Sequence, residues 1–248
     1  MKTAIVTGVS RGLGEALARA LLAGGFAVTG IGRTSGAALN GAPYRFVACD
    51  LTDTTDIDAA LTPAFRAIAD AQPEFLCLIN NAATAAPVGT IGSLGSGALT
   101  SSMAVNLVAP VAVANLFCRV FVGQVRGPTH AQVHRIINVS SGAADSPLAG
   151  GGPYSIAKAG LEMLTRQLAA EHDAATFRAI TVRPGVIDTD MQTFMRSQTK
   201  EILPSIDLFK GFHREHRLVA PDTVAAKIVD KLVLSDVEQG RTYNYREL

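Results

Sequence analysis

A tyrosine and a lysine stand four residues apart in the stretch GPYSIAK, residues 152–158. Positions i and i+4 share one face of a helix, so the side chains of Tyr154 and Lys158 are expected to lie together. A phenol in water has a pKa of about 10, and a neighbouring ammonium group and the positive end of a helix both favour the phenolate. The pair is predicted to exchange a proton with a substrate near neutral pH. The competing interpretation makes Tyr154 an amphipathic residue at a helix start and Lys158 a surface charge.

A glycine-rich turn near the N-terminus is the second feature with chemical meaning. Gly8, Gly12 and Gly14 lie in TGVSRGLG, between an apolar strand pattern and a helical pattern. Such a turn lets the backbone approach a pyrophosphate, whose charge then faces the positive end of the helix. The spacing differs from G-x-G-x-x-G, and Glu15 stands where a Walker loop carries lysine. The turn could also serve only to pack a helix on a sheet.

The second strand pattern bears on the choice of dinucleotide. A carboxylate near the end of this strand is typical of proteins that bind the ribose hydroxyls of NAD. No Asp or Glu occurs between Glu15 and Asp50, and the strand ends in Gly32 followed by Arg33 and Thr34. With Arg11 inside the glycine turn, two guanidinium groups suit a 2′-phosphate, which predicts NADP(H). The alternative is that both arginines are solvated surface charges.

Strand and helix patterns alternate along the chain, and they predict a parallel sheet covered on both faces. We therefore expect an α/β fold, a single-domain Rossmann-type doubly wound sheet over residues 1–248. Residues 188–220 break the alternation and are expected to be either an insertion that covers the substrate or a plain surface insertion. Strands are predicted at 2–7, 26–31, 45–48, 75–79, 135–139 and 179–182, helices at 12–23, 56–70, 106–122 and 154–170, and a surface loop at 123–132.

Composition excludes several classes of partner. Charged residues make up 17% of the chain, the net charge is +1, and no basic block occurs, so nucleic acid is not an expected partner. The apolar stretch at 103–123 contains Asn106, Asn115 and Arg119, which favours a helix covered by protein over a membrane span. The N-terminal residues enter a strand directly without a signal-peptide pattern, and a cytoplasmic protein is expected.

Cysteines and histidines give no metal-site pattern. Cys49, Cys77 and Cys118 are widely spaced in apolar runs and are expected to be buried, reduced thiols. The five histidines are scattered along loops and the 188–220 region, so no metal site is predicted.

Taken together, these motifs resemble the short-chain dehydrogenase/reductase family over nearly the whole chain. One motif alone would be weak, but all occur in the family's order. Ala83 departs mildly from the family pattern, which has glycine there. Within the family, PGVIDTDMQ and the C-terminal GRTYNYREL resemble sepiapterin reductase and the related benzil-type diketone reductases. The motifs are TGVSRGLG at 7–14, CDLT at 49–52, NNAA at 80–83, Asn106, Ser141, Tyr154 with Lys158, and RPGVIDTDM at 183–191.

The resemblance implies a catalytic role for four residues. Tyr154 would donate a proton to a carbonyl oxygen as hydride passes from the nicotinamide to the carbonyl carbon. Ser141 would bind that oxygen, with Ser140 as its rival. Lys158 would also hold the nicotinamide ribose, and Asn106 would support Lys158 through a water molecule.

The resemblance also implies a set of cofactor contacts. Thr189 could bond the nicotinamide amide or cap the segment that follows, and Asp188 or Asp190 could meet a substrate amine or cap a helix. The contacts are Gly8, Ser10, Arg11, Gly12, Leu13, Gly14, Arg33, Thr34, Asp50, Leu51, Asn80, Asn81, Ala82, Tyr154, Lys158, Pro184, Gly185, Val186, Ile187 and Thr189.

These interpretations combine into one predicted function, the NADPH-dependent reduction of a small-molecule carbonyl to an alcohol. The substrate stays open among a pterin side-chain carbonyl, an aromatic diketone and a simple ketone. Two alternatives are a non-catalytic NADP(H)-binding sensor or scaffold and an alcohol dehydrogenase that works in the oxidative direction. Helix 106–122 and the helix carrying Tyr154 have more apolar surface than one sheet face needs, which predicts a homodimer or homotetramer.

Overall fold

The computed structural model describes residues 1–122 and 133–248, so the surface loop predicted for 123–132 lies outside the described residues. Within the described part of the chain, one parallel sheet has the strand order β3-β2-β1-β4-β5-β6-β7. Its strands are β1 Lys2–Thr7, β2 Ala27–Gly32, β3 Tyr44–Ala48, β4 Phe75–Asn80, β5 Val133–Val139, β6 Phe177–Arg183 and β7 Thr242–Asn244.

Helices join and cover these strands. A 3₁₀ turn, Gly142–Ala144, follows β5 and another, Tyr245–Glu247, follows β7; π-helical turns extend α3, α4 and α8. The helices are α1 Gly12–Ala23, α2 Ile57–Asp70, α3 Ser96–Met103, α4 Ala109–Phe117, α5 Gly152–Glu171, α6 Asp190–Arg196, α7 Ile206–Arg214 and α8 Pro221–Ile228.

The core lies in two layers, one on each face of the sheet. Along β1, Ala4 and Val6 point to the layer formed with α1 and α8, whereas Ile5 points to the layer formed with α2 and α4. Alternate residues of a strand face opposite sides, and here both sides are buried, which is why the strand is apolar throughout. The predicted doubly wound α/β fold is confirmed.

The order of the strands creates the crevice that holds the site. The chain runs from β1 outward through β2 and β3, and then returns to place β4 on the other side of β1. At such a switch point the connections at the carboxyl ends of the strands diverge and leave room for a ligand. The glycine turn after β1 and the NNAA segment after β4 both lie at this point.

The helical stretch before β5 begins ten residues earlier than predicted. Ser96–Val122 is continuous, 27 residues long and has a mean hydropathy of 1.8, so by length and composition it could cross a membrane. Its residues Val113, Leu116 and Phe117 are instead buried against the sheet. This agrees with the prediction of a helix that is covered by the rest of the protein.

The region at 188–220 is more ordered in its secondary structure than the sequence indicated. It contains α6 and α7, and the buried residues Leu203, Ile206 and Phe209 pack with Ala85 and Met195 in a small separate cluster. The two helices have only seven and nine residues, so each gives too short a pattern for helical spacing to stand out. Strand β7 was also not predicted, because its three residues form a ladder with β6 alone.

The cysteines follow the prediction with one difference. Cys49 and Cys77 are buried, while Cys118 is half-buried on the π-helical turn Cys118–Val122. Burial raises the pKa of the Cys77 and Cys118 thiols to about 12. These two thiols therefore stay protonated and poorly reactive.

Candidate active site

Tyr154 and Lys158 lie on one face at the start of α5, as predicted. The helix begins at Gly152 with Pro153 in its first turn, where a missing N–H costs nothing. Lys158 is 2% exposed, its Nζ donates a hydrogen bond of 2.8 Å to the carbonyl oxygen of Val139, and Nζ lies 5.6 Å from the centre of the Tyr154 ring. The lysine is therefore fixed between the end of β5 and the tyrosine, and it is not a surface charge.

The pKa values of the pair differ from expectation. Burial raises the pKa of Tyr154, and a hydrogen bond with Ser141 is the contribution that lowers it. Burial also lowers the pKa of Lys158 to about 8. The predicted lowering of the phenol pKa by the ammonium group is thus outweighed, because the same burial disfavours a charge on either side chain. Tyr154 is held as a neutral phenol, which is the form that can donate a proton.

Ser141, and not Ser140, meets the tyrosine. Ser141 follows β5 in an extended conformation, and its Oγ accepts a hydrogen bond of 3.2 Å from the amide of Ala143. The Oγ of Ser140 points away and donates to Glu162 at 2.8 Å. The geometry therefore favours Ser141 as the residue that would bind a substrate oxygen next to Tyr154.

Asn106 lies inside a π-helical turn, a feature often found at functional sites. Its buried side chain accepts from the amide of Thr84 and donates to the Thr84 carbonyl oxygen, both at 2.9 Å, and it also donates to Ser102. These bonds hold the segment that follows NNAA. Lys158 donates its direct hydrogen bond to the Val139 carbonyl oxygen, and the support of Lys158 by Asn106 through a water molecule stays a prediction.

The glycine turn is packed so closely that side chains would not fit. A Cβ on Gly14 would lie 2.0 Å from the carbonyl oxygen of Gly8, and one on Gly8 would lie 2.8 Å from the Cα of Ala82. Gly8 and Gly12 also have positive φ values of 75° and 60°. Asn81 supports the turn by donating to the carbonyl oxygen of Thr7 at 2.9 Å. The first turn of α1 therefore opens directly onto the crevice.

This turn fits a pyrophosphate. Within the described residues, Arg11 occupies the N-cap position of α1 without a side-chain capping bond, so the first amides of the helix can serve an anion. Across the turn, a Cβ on Gly12 would come within 3.3 Å of the Thr189 methyl group. The segment after β6 thus lies directly opposite the glycine turn.

The ends of β2 and β3 carry the residues predicted to bind the adenosine. Arg33 and Thr34 are exposed just past β2. The pKa of Asp50 is lowered by hydrogen bonds from the backbone and side chain of Thr52, and the positive charge of Arg33 adds to this effect. Leu51, next to Asp50, is buried. Arg33 and Asp50 therefore lie within electrostatic reach of each other at one end of the crevice.

Glu15 is a residue of this region that the sequence interpretation missed. Its Oε1 accepts a hydrogen bond of 3.2 Å from the amide of Ala38, and a Cβ on Gly36 would lie 2.6 Å from the same oxygen. A carboxylate therefore does reach the loop after β2, from α1 and not from the strand. Its place in the first turn of the helix that follows β1 was the available signal.

The segment after β6 borders the other side of the crevice. Pro184 is buried, Gly185 has a φ of 78° with the Tyr245 ring beside it, and Ile187 bridges to Val219. Asp188 is exposed.

Asp190 begins α6 and forms an ion pair of 3.2 Å with Arg11. Arg11 thus faces the segment after β6. Asp190 stands at the start of a helix, where a carboxylate is favoured.

Asn80, also predicted to bind cofactor, is buried. Its side chain donates to Asn138 at 2.9 Å inside the sheet. Any contact of Asn80 with a ligand therefore has to come from its backbone.

The loop that leads into Tyr154 is held between two other segments. The amide of Gly89 donates to the carbonyl oxygen of Gly150, and Ser205 Oγ donates to that of Ala149, both at 2.8 Å. A Cβ on Gly150 would lie 2.8 Å from the carbonyl oxygen of Ile202. Part of the 188–220 region is therefore a support for the catalytic loop.

Comparison with known proteins agrees with this geometry. The family model for short chain dehydrogenases matches residues 2–200. A benzil reductase ((S)-benzoin forming) of Bacillus cereus is 30% identical, with both chains covered completely. The crystal structure of the KRED1-Pglu enzyme superposes with a TM-score of 0.81 at 26% identity, covering 98% of this chain and 100% of the other. A 3-oxoacyl-[acyl-carrier protein] reductase from Brucella melitensis in complex with NAD has a TM-score of 0.77 at 25% identity, covering 98% and 95%.

The chain therefore belongs to the short-chain dehydrogenase family, a family of oxidoreductases that bind a nicotinamide cofactor. Its full-length similarity to the Bacillus cereus benzil reductase confirms the predicted resemblance to benzil-type reductases.

Proposed function

We propose that this protein reduces the carbonyl group of a small molecule to an alcohol with NADPH. The observation that carries the proposal is the Tyr154 ring, whose centre lies 5.6 Å from the Nζ of the buried Lys158 on the first turns of α5. This group lies at the same edge of the sheet as the glycine turn. It is the arrangement that an acid needs in order to protonate an oxygen as the neighbouring carbon is reduced.

Each residue has a separate task in this scheme. The bound dinucleotide supplies the hydride. Tyr154 donates its proton to the carbonyl oxygen, and the burial that raises its pKa keeps the proton in place until then. Ser141 holds the same oxygen by a hydrogen bond, which stabilises the charge that develops there. Lys158, fixed by Val139, keeps a cation beside the phenolate that forms and so lowers the barrier.

The cofactor is held by the chain's own donors. The amides at the start of α1 would bind the pyrophosphate, and Gly8 and Gly14 let the turn fold tightly enough to present them. Arg33 binds the 2′-phosphate in this proposal, which is why NADPH is preferred to NADH. Arg11 would join it only by leaving its exposed ion pair with Asp190. The segment from Pro184 to Thr189 closes the nicotinamide end.

We propose an aromatic diketone as the substrate class. The wall next to the catalytic loop is apolar and includes Val88, Leu148, Met191 and Met195. Methionine side chains adapt to aromatic rings and contact them favourably. The full-length relative from Bacillus cereus is named for the reduction of benzil, which is such a diketone. A pterin side-chain carbonyl and a simple ketone are the comparison substrates.

The test of the function is a cofactor-oxidation assay. Purified protein is mixed with NADPH or NADH and with benzil, a pterin ketone or a simple aliphatic ketone, and absorbance at the nicotinamide band is followed. We expect the fastest oxidation with NADPH and benzil. Absence of turnover with all three carbonyl classes, in a protein that binds dinucleotide, would support a non-catalytic sensor instead.

Arg33 is expected to set the cofactor preference. Replacing it by aspartate (Arg33→Asp) removes a cation from the 2′-phosphate and adds a carboxylate for the ribose hydroxyls. We expect kcat/KM for NADPH to fall by about 10- to 100-fold, the value of one or two charge-assisted hydrogen bonds, while kcat/KM for NADH rises. Arg66→Asp, at an exposed arginine of α2, is the matched control and should leave the ratio unchanged. If Arg33→Asp leaves the ratio of kcat/KM for NADPH to that for NADH unchanged, residues other than Arg33 set the cofactor preference.

The apolar outer surface of two adjoining helices is proposed as a subunit interface. Val108 and Val111 are 45% and 40% exposed, and on α5 Ile156 and Met163 are 55% and 54% exposed. α5 packs on the turn before α4, since a Cβ on Gly160 would meet a Leu107 methyl at 2.9 Å. The four side chains therefore form one face that a second copy of the chain would cover.

Met163→Asp is expected to separate the subunits. A carboxylate at the centre of an apolar interface loses its hydration without a partner, which disfavours association. Light scattering after size-exclusion chromatography should show a dimer or tetramer for the wild type and a smaller species for Met163→Asp. Leu234→Asp, at another exposed apolar residue outside this face, should retain the wild-type mass. A monomeric wild type would contradict the proposed interface.

A further inference from the structure

A half-buried ion pair lies behind the catalytic serine and is not used by the chemistry described above. Arg183 forms a two-bond fork with Glu162, from Nε to Oε1 at 2.8 Å and from an Nη atom to Oε2 at 2.9 Å. The two side chains are only 17% and 14% exposed. Such a planar pair fixes orientation as well as distance.

Glu162 and Arg183 form hydrogen bonds with residues at both ends of the turn that carries Ser141. At the near end, Ser140 donates to Oε1 of Glu162 at 2.8 Å. At the far end, Arg183 donates to Oδ2 of Asp145 at 2.6 Å. Between these two ends lie Ser141 and the 3₁₀ turn Gly142–Ala144, whose Ala143 amide donates to the Ser141 Oγ. The position of the Ser141 hydroxyl is therefore determined by contacts on both sides of it.

The same two residues tie this turn to the other segments of the site. Glu162 is one helical turn beyond Lys158 on α5, so it is part of the rigid element that carries Tyr154. Arg183 is the last residue of β6 and directly precedes Pro184 and Gly185. The fork thus joins the serine turn, the catalytic helix and the segment after β6.

We propose that Arg183 and Glu162 are positioning residues that hold Ser141 at its working distance from Tyr154. Neither touches the reacting atoms; both act through the serine turn. The inference rests on the proposed carbonyl reduction for its kinetic consequences. A displacement of a catalytic group by about 1 Å is enough to cost roughly 100-fold in rate, so loss of the fork is expected to be visible in kcat.

The kinetic test compares Arg183→Gln and Glu162→Gln with Arg183→Lys. Glu162→Gln removes one charge at constant volume, and Arg183→Gln removes the other while shortening the side chain by two atoms; both are expected to lower kcat by about 10- to 100-fold. Arg183→Lys restores the charge without the fork and should recover part of the loss. Arg19→Gln, which breaks an exposed ion pair with Asp222 between α1 and α8, is the control and should retain wild-type kcat.

A double-mutant cycle separates positioning from a general effect on folding. If Arg183 acts through Ser141, then Ser141→Ala should cost much less in the Arg183→Gln background than in the wild type. If the two losses in kcat simply multiply, the residues act independently and the proposal is wrong. Wild-type kcat and KM in both glutamine variants would overturn it as well.

A measurement without turnover distinguishes this inference from the proposed function. Hydrogen exchange of the peptide covering residues 140–146 should be faster in Arg183→Gln and Glu162→Gln than in the wild type, with exchange elsewhere on α5 unchanged. Unchanged protection of this peptide overturns the inference even if the enzyme is active. If the wild type reduces no carbonyl, the proposed function fails, while the exchange experiment still decides whether the fork holds the turn.

Discussion

Tyr154→Phe is expected to lower the rate of carbonyl reduction by about 100- to 10,000-fold, the usual contribution of a positioned proton donor. The substitution removes one oxygen atom and leaves the ring that fills the start of α5. In the proposed scheme the glycine turn and the segment after β6 would hold the dinucleotide, so its affinity should change by less than about twofold. The tyrosine hydroxyl would then account for kcat and not for cofactor binding.

The measurement is NADPH oxidation with the best carbonyl of the screen, together with dinucleotide binding followed by fluorescence. Tyr243→Phe is the control, since Tyr243 lies on β7, outside the catalytic turn, and its hydroxyl accepts a hydrogen bond from the amide of Glu238. It removes the same atom from another tyrosine and should keep wild-type kcat. Turnover in Tyr154→Phe equal to that of the wild type would rule out the acid role.

Lys158→Met is expected to abolish most turnover, while the free energy of unfolding changes much less than the loss of activity would suggest. At pH 7 the lysine is charged in both the folded and unfolded states, and burial of this charge lowers its folded pKa from 10.5 to about 8. The shift corresponds to roughly 3 kcal/mol of folding free energy that the buried charge costs at neutral pH. Methionine fills similar space without a charge, although it leaves the Val139 carbonyl oxygen without its donor.

The free energy of unfolding is expected to change with pH in a definite direction. Between about pH 8 and pH 10.5, the folded protein releases the Lys158 proton while the unfolded chain keeps it. The free energy of unfolding of the wild type should therefore rise relative to that of Lys158→Met across this interval. Urea denaturation of both proteins at pH 7 and pH 9.5 measures the difference.

Lys231→Met serves as the control for this pH series. Its side chain lies in an exposed ion pair with Asp230, and the difference from the wild type should not change with pH in this way. A difference between the wild type and Lys158→Met that is constant with pH would mean that Lys158 is less buried than the structure shows.

Local patterns in the sequence predicted the central elements well. β1 and α1 have the predicted bounds, because an unbroken apolar run meets a glycine turn and the helix then ends at Gly24 and Gly25. The Tyr154–Lys158 face was predictable because it depends on helical spacing alone. α7, in contrast, was missed, although its residues Ile206 and Phe209 are buried, because a helix of nine residues gives only a short run of helical spacing.

Contacts between distant segments could not be predicted from spacing. Arg183 and Glu162 meet only because α5 packs beside β6, and Glu15 reaches Ala38 only because α1 lies over the end of β2. The pKa of Tyr154 was misjudged for a related reason. Spacing places a cation nearby, but it contains no information on how completely both groups are removed from water.

The close fit of Gly150 against Ile202 and Leu203 has a consequence for changing what this enzyme accepts. Residues 202–205 belong to the region that would shape substrate choice, and they also support the loop before Tyr154. Changes made there to alter selectivity should therefore also alter the rate. Mutational libraries that vary residues 202–205 should yield many slow variants, whatever substrate they fit. Variation at Phe194, which is 37% exposed on α6, leaves the contacts of Gly150 with Ile202 and Leu203 unchanged. It should therefore alter selectivity with a smaller loss of rate.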